Sequence, residues 1–290
     1  SLLFSGALLA TTFTAAAHGP GHVHRSQERA TITEAVDVQE TGIPVAATDS
    51  DRIWGVNATT GWESRHVHYG VDESVPSGAY VNEIGFNVGD FSVNVWNGFG
   101  LGNQLVEWDF TAGYNIEVGP VFITPGYNFR YVPRQNESGH SHGHEEHGHE
   151  EEHGHHDEES GGHQHNTYGN ELFIVLGTTA IPYVTPSTVF IWDLNNNPGG
   201  FLEFRLDGEV PVYKEIVSLQ PYALLGLNFG YNTSEVYGLN NFQFGLQSTV
   251  AINKYVSAFA GINYSVALEA LNTIDQDNVV WVNVGLSFAY

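Results

Sequence analysis

The chain has no cysteine among its 290 residues. That excludes a disulfide framework, a thiolate metal site and a cysteine nucleophile. Cations are scarce: nine Lys and Arg stand against 33 Asp and Glu, for a formal charge of −24. This balance argues against nucleic acid or an anionic membrane surface as a partner. After the first residues no apolar run reaches the ~18 residues that a transmembrane helix requires. Motifs of catalysis are missing as well. There is no G-x-S-x-G and no H-E-x-x-H, and the His-Glu-Glu-His at 144–147 has the wrong spacing for a helical zinc protease site. A barrel enzyme would need a positioned nucleophile and base, so the expectation is a non-enzyme that requires no cofactor.

The apolar stretch Leu2 to Leu9, followed by Ala15-Ala16-Ala17, reads as a secretory signal peptide over 1–17, truncated at its start. Residues 18–51 carry no convincing strand pattern and read as a disordered periplasmic segment. Its His18, His22 and His24 could hold copper or zinc beside a new N-terminus, but an ordinary tail accounts for them.

From Arg52 onward the period is two. In 108–118 Trp, Phe, Ala, Tyr, Ile and Val alternate with Asp, Thr, Gly, Asn and Glu. At the C-terminus Val280, Val282, Val284, Leu286, Phe288 and Tyr290 share one face, and Asn283, Gly285, Ser287 and Ala289 the other. Twelve such segments fall near 52–62, 80–89, 91–99, 105–118, 121–133, 168–179, 187–195, 200–212, 216–230, 240–252, 255–268 and 278–290. Most match the ~9–11 residues of a tilted membrane-spanning strand. Tight turns such as Gly89-Asp90, Gly119-Pro120 and Asn253-Lys254 alternate with longer connections at 63–79, 100–104, 134–167, 231–239 and 269–277. Thr179–Pro186 is long for a turn, and Asn195–Gly199 short for a loop. The pattern predicts an all-β fold: a closed antiparallel transmembrane β-barrel over 52–290, of about twelve strands with ten as the alternative. Its polar faces would line a water-filled lumen.

The signal-like start, the alternating strands and the aromatic-terminated last strand, with Phe288 and Tyr290, resemble Gram-negative outer-membrane β-barrel proteins of the small porin-like kind. The resemblance covers roughly 52–290 and is architectural. It implies the bacterial outer membrane, lipid around the barrel, and recognition of the last strand by the barrel assembly machinery. Short turns would be periplasmic and long loops outside. A homo-oligomer is compatible with it.

The strongest chemical signal is the insert at 136–166, NESGHSHGHEEHGHEEEHGHHDEESGGHQHN. It contains His140, His142, His144, His147, His149, His153, His155, His156, His163 and His165, interleaved with carboxylates and free of Lys and Arg. Neutral imidazole is the commonest protein ligand for zinc, copper and nickel. So polar a stretch cannot offset its ordering entropy and should be mobile. A solvated tract that binds metal only incidentally is the plainer reading. The strand count places the insert in an outer loop, on the same side as His66 and His68, whose i, i+2 spacing would let them act as a bidentate pair.

Glu83, Asp109, Glu117, Arg130, Glu203, Arg205, Asp207 and Glu209, with Arg52 and Glu171, fall on predicted inward faces. They would form a cation-attracting pore or a salt-bridged network that fills a narrow barrel. The functional expectation is a porin-like barrel whose outer loop reversibly binds divalent transition metal, zinc first, aiding uptake or buffering. The alternative is a closed structural or interaction barrel with incidental metal binding.

Overall fold

The computed structural model describes residues 10–14, 41–45, 54–73, 78–100, 106–133, 167–195, 198–214, 216–231 and 237–290. The insert 136–166, with its ten histidines, lies outside the described residues, as do His18, His22, His24 and Arg52.

Twelve strands form one closed antiparallel sheet. They are β1 (Trp54–Glu63), β2 (Ala79–Val88), β3 (Phe91–Gly100) and β4 (Val106–Tyr114, continued by Ile116–Val118). Then come β5 (Val121–Val132), β6 (Thr167–Thr178), β7 (Val184–Asp193) and β8 (Gly199–Gly208, continued by Val210–Tyr213). The last four are β9 (Val217–Phe229), β10 (Tyr237–Ala251), β11 (Val256–Ala267) and β12 (Val279–Ala289). Each pairs with the next, and β12 returns to β1 from Asn283↔Glu63 to Ala289↔Asn57. The seam ends in two backbone bonds, Val56 N to Tyr290 O at 2.9 Å and Tyr290 N to Val56 O at 2.8 Å. Every strand edge is thereby paired, the condition for crossing a bilayer.

Two boundaries depart from the sequence reading. Strand β7 begins at Val184 and runs through Pro186, which pairs with Leu206. The β6 ladder has already ended at Gly177↔Ser187, so a residue without an N–H is tolerated there. The turn before it shrinks to 179–183 and fits the short-turn end. Thr41–Val45 pairs with Ala10–Thr14 as a separate two-stranded sheet; Gly42 and Pro44 hide any alternation there. One helical turn, α1 (Glu269–Asn272), sits in the last long connection and is too short to leave a period in the sequence.

The surface is inverted relative to a water-soluble protein. Exposed positions include Ile84, Phe110, Leu172, Phe204, Leu206, Phe244, Val280 and Leu286, while Glu83, Asp109, Asn128, Glu203, Gln220, Gln243 and Asn283 are buried. Strand β12 alternates between exposed Val280, Val282 and Val284 and buried Val279, Trp281 and Asn283. Aromatic rings collect at both ends of the strands. Trp54, Tyr255, Phe288 and Tyr290 meet at the turn end, and Tyr80 with Phe99 and Tyr131 with Tyr168 meet at the loop end. An apolar outer band between two aromatic belts is the surface of a membrane-spanning barrel. The short turns then face the periplasm and the long loops the exterior.

The interior corrects the expectation of a water-filled lumen. Nearly every inward side chain among the described residues is buried. Part of the inward face from β5 to β8 is apolar: Phe122, Phe173, Val175, Val189, Ile191 and Phe201 form one cluster among buried polar neighbours such as Asn128, Glu171 and Glu203. Gly126 lies opposite Phe173 across the β5–β6 ladder, and the Phe173 ring occupies the space a Cβ at 126 would need. Large inward side chains set beside glycines let twelve strands close around a packed core.

Candidate functional site at the barrel mouth

The described part of the first outer connection, residues 64–73, does not project from the barrel. It turns inward and fills the mouth. Ser64 N donates to Val282 O, and Val67–His68 pairs with Val71–Asp72 in a small hairpin. Tyr69 and Gly70, at φ +46° and +80°, make its two-residue turn with both residues left-handed, as a type I′ turn requires. At Gly70 a Cβ would lie 2.8 Å from Asn241 and 2.9 Å from Leu271, so only glycine lets the turn approach the wall. The Tyr69 ring packs 4.6 Å from Phe201 and 5.1 Å from Tyr231, extending the apolar cluster upward. Asn240 Nδ2 donates to Tyr69 O at 2.7 Å, and Val67 packs with Val279 and Trp281.

This seating buries both histidines, each 1% exposed. They do not act as a bidentate pair, because each ring takes different partners. His66 Nδ1 lies 2.8 Å from Glu63 Oε1, and its Nε2 lies 3.6 Å from Glu107 Oε2. The ring stacks on Trp96 with centroids 5.4 Å apart. His68 accepts from Arg130 Nη2 at 2.6 Å, and its Nδ1 faces Glu73 Oε1 at 3.7 Å. Arg130 ties the two halves together, with its Nε 2.7 Å from Glu107 Oε1 and 3.7 Å from Asp109 Oδ1.

Four carboxylates (Glu63, Glu73, Glu107 and Asp109) therefore surround Arg130 and two imidazoles. Burial alone would depress the His66 imidazolium, but hydrogen bonds to Glu107 and Glu63 outweigh it and push its pKa up to about 10. Burial would likewise raise the Glu73 carboxyl, yet His68 and Arg130 hold it well below the usual carboxylate range. One donor atom from each of His66, Glu73 and Glu107 lies within 4.8 Å of the others, a spacing that could hold a metal ion.

The other charges named from the sequence are placed as follows. Glu83, Asp109, Glu203, Arg205 and Asp207 are buried inside, and Arg130 is largely buried below the outer rim. Arg205 Nε donates to Asp207 Oδ1 at 2.7 Å, and its guanidinium lies 4.4 Å from the Tyr222 ring centroid. Glu171 accepts from Asn128 Nδ2 at 3.1 Å and from Tyr231 OH. Glu117 is exposed and Glu209 half-buried, both at the periplasmic rim beside the turns rather than in the lumen. Glu63 and Glu107 are the wall residues not singled out in advance. Both are visible by parity, since Glu107 shares its face with Asp109 and Glu63 with Asn57 and Thr59. Glu73 has no such signal, because only the folding of the loop brings it to the wall.

No family model and no curated protein matches the chain. Solved structures similar to it include the KdgM porin in complex with disordered oligogalacturonate, at 7% identity and a TM-score of 0.49, covering 81% of this chain and 99% of that one. The NanC porin is similar at 9% identity and 0.48, covering 80% and 98%. The translocator domain of the autotransporter NalP from Neisseria meningitidis follows at 11% and 0.43, covering 82% and 88%. The chain is a closed twelve-stranded outer-membrane barrel. That assignment stands on its own inverted surface and aromatic belts.

Proposed function

We propose that this barrel handles divalent transition metal at the outer face of the outer membrane, with the tract 136–166 as the capturing element. The observation that carries this reading is where the tract is rooted. Its flanks close the β5–β6 ladder at Tyr131↔Tyr168 and Val132↔Thr167, on the outer rim. Arg130, one rung below, bonds His68 and Glu107 in the mouth. Ions gathered by the tract are thus held within a few residues of a carboxylate-rich opening. Neutral imidazoles make zinc the first expectation, with copper and nickel as competitors, and unpositioned ligands imply low selectivity. Affinity should rise with pH through the ~6.5 pKa of histidine, because the ligands must be deprotonated.

In the porin-like form of this reading, ions pass inward when the first loop withdraws. The packed interior favours a second form, a closed barrel that buffers metal at the surface. Planar-bilayer conductance with and without zinc, on the full chain and on a 136–166 deletion, separates them. Conductance that zinc changes only when the tract is present supports uptake, and absence of conductance with zinc retained supports buffering. Zinc binding that survives the deletion undiminished sinks the role of the tract.

A further inference from the structure

We propose that His66, Glu73 and Glu107 form a preorganised divalent-metal site that staples the first loop to the barrel wall. This site is separate from the His-rich tract and does not depend on it.

Each donor is held by a neighbouring side chain. A metal-ligating histidine ordinarily gives its other ring N–H to a carboxylate, which fixes the tautomer and aims the free nitrogen. Glu63 Oε1, 2.8 Å from His66 Nδ1, is placed for that role and leaves Nε2 turned toward Glu107. Trp96 stacks on the ring and holds its plane. Arg130 holds one oxygen of Glu107, leaving Oε2 toward His66. His68 faces Glu73 in the same manner. Each donor therefore has a neighbour besides the other two: Glu63 and Trp96 at His66, Arg130 at Glu107 and His68 at Glu73.

Charge points the same way. Among the described residues Glu63 Oε2 is buried without a hydrogen-bond partner, and the four carboxylates face one permanent cation, Arg130, and two imidazoles, so an ion at His66 Nε2 would take the place of a proton there. Buried carboxylates require pairing or a metal. Donors about 2.1 Å from an ion stand roughly 3.0–3.5 Å apart, so the present separations, all within 4.8 Å, need only a small inward movement. One imidazole with two carboxylates and room for water suits zinc or manganese(II) rather than a soft ion.

The consequence is mechanical. His66 and Glu73 belong to the loop, whereas Glu107 belongs to β4, so an ion bonded to all three ties the loop to the wall. Occupancy would favour the plugged mouth, and loss of the ion would release the loop.

Manganese(II) is the appropriate probe, because the ten imidazoles and nine carboxylates of the tract are unpositioned and bind it weakly, whereas the mouth donors are fixed. Equilibrium dialysis and electron paramagnetic resonance on the full detergent-solubilised chain should show one saturable site. His66→Ala, Glu73→Gln and Glu107→Gln should each abolish it with the tract intact. Glu63→Gln should weaken it about 10- to 100-fold. Glu73 is outside the barrel wall, so its variant tests the site even if the wall variants fold poorly. Tryptic cleavage after Arg65, whose side chain is exposed, reads the staple: manganese should slow it in the wild type but not in Glu73→Gln. Manganese binding unchanged by these substitutions, or binding that leaves cleavage at Arg65 unaffected, overturns the proposal. Neither result bears on zinc capture by the tract, which the 136–166 deletion tests separately.

Discussion

Replacing Tyr69 with alanine tests whether the loop is the closure of the barrel. The ring is 7% exposed and lies against Phe201, Tyr231 and His68. Alanine adopts the left-handed backbone at 69 no more easily than tyrosine, so the turn strain is common to both chains and cancels. What remains is the loss of a large buried aromatic, which costs about 3–5 kcal/mol in packed cores. That loss falls on the seated state of the loop alone, because the barrel wall keeps its ladders. At about 1.4 kcal/mol per decade, the withdrawn population should rise by roughly 10²- to 10⁴-fold. Single-channel recording should then show openings in Tyr69→Ala that are rare in the wild type, and trypsin should nick the chain faster after Arg65. Tyr69→Phe keeps the ring and should behave as the wild type does. A Tyr69→Ala barrel that is folded, silent and no more cleavable would refute the idea that this loop closes the mouth.

Gly70→Ala should loosen the same turn by about 1–3 kcal/mol, through the φ of +80° and the collision with Asn241 and Leu271; faster tryptic nicking with unchanged barrel circular dichroism is the expected outcome. His66 carries a pKa raised in the seated loop, so its contribution is fully present below the ordinary value of 6.5 and is lost as pH rises through about 10. Cleavage after Arg65, corrected for trypsin's own pH profile, should therefore increase from pH 7 to pH 10 in the metal-free chain and stay flat in His66→Gln. Deleting 136–166 should remove most zinc bound per chain in dialysis while the barrel keeps its slower or faster migration on unheated gels.

The wall of the barrel was legible because each strand carries its own statement of face. Asn283 and Ser287 on one side of β12, and Val282 and Leu286 on the other, announce inside and outside without reference to any neighbour. Proline misled at 186, since its missing N–H signals a break only where the neighbouring ladder still needs a donor. The filled lumen was less accessible. Phe173 and Val175 share a strand with equally apolar Leu172, Ile174 and Leu176, so period two gives no contrast there. The mouth site was half visible: His66 and His68 stood out by type, and Glu107 by parity. The loop's inward turn rests on Tyr69 reaching Phe201 and on Asn240 reaching Tyr69 O, contacts across more than 130 residues of chain.

That long-range seating changes how the two histidine groups relate. On an outward loop, His66 and His68 would join the tract as extra ligands of the same weak, unselective kind. Buried in the mouth, they are divided between a carboxylate pair and a guanidinium, with their rings fixed by Trp96 and Tyr69. Fixed geometry is what selectivity among divalent ions requires and what the tract lacks. A barrel carrying both elements would gather ions through many interchangeable ligands and register them through one positioned set. The order of affinities then becomes decisive: manganese should distinguish the two strongly, preferring the mouth, whereas copper should favour the tract. If the two elements ranked these ions alike, the positions of Glu63, Glu73 and Glu107 around His66 would confer no selectivity, and the mouth cluster would be only the ionic packing of a plug.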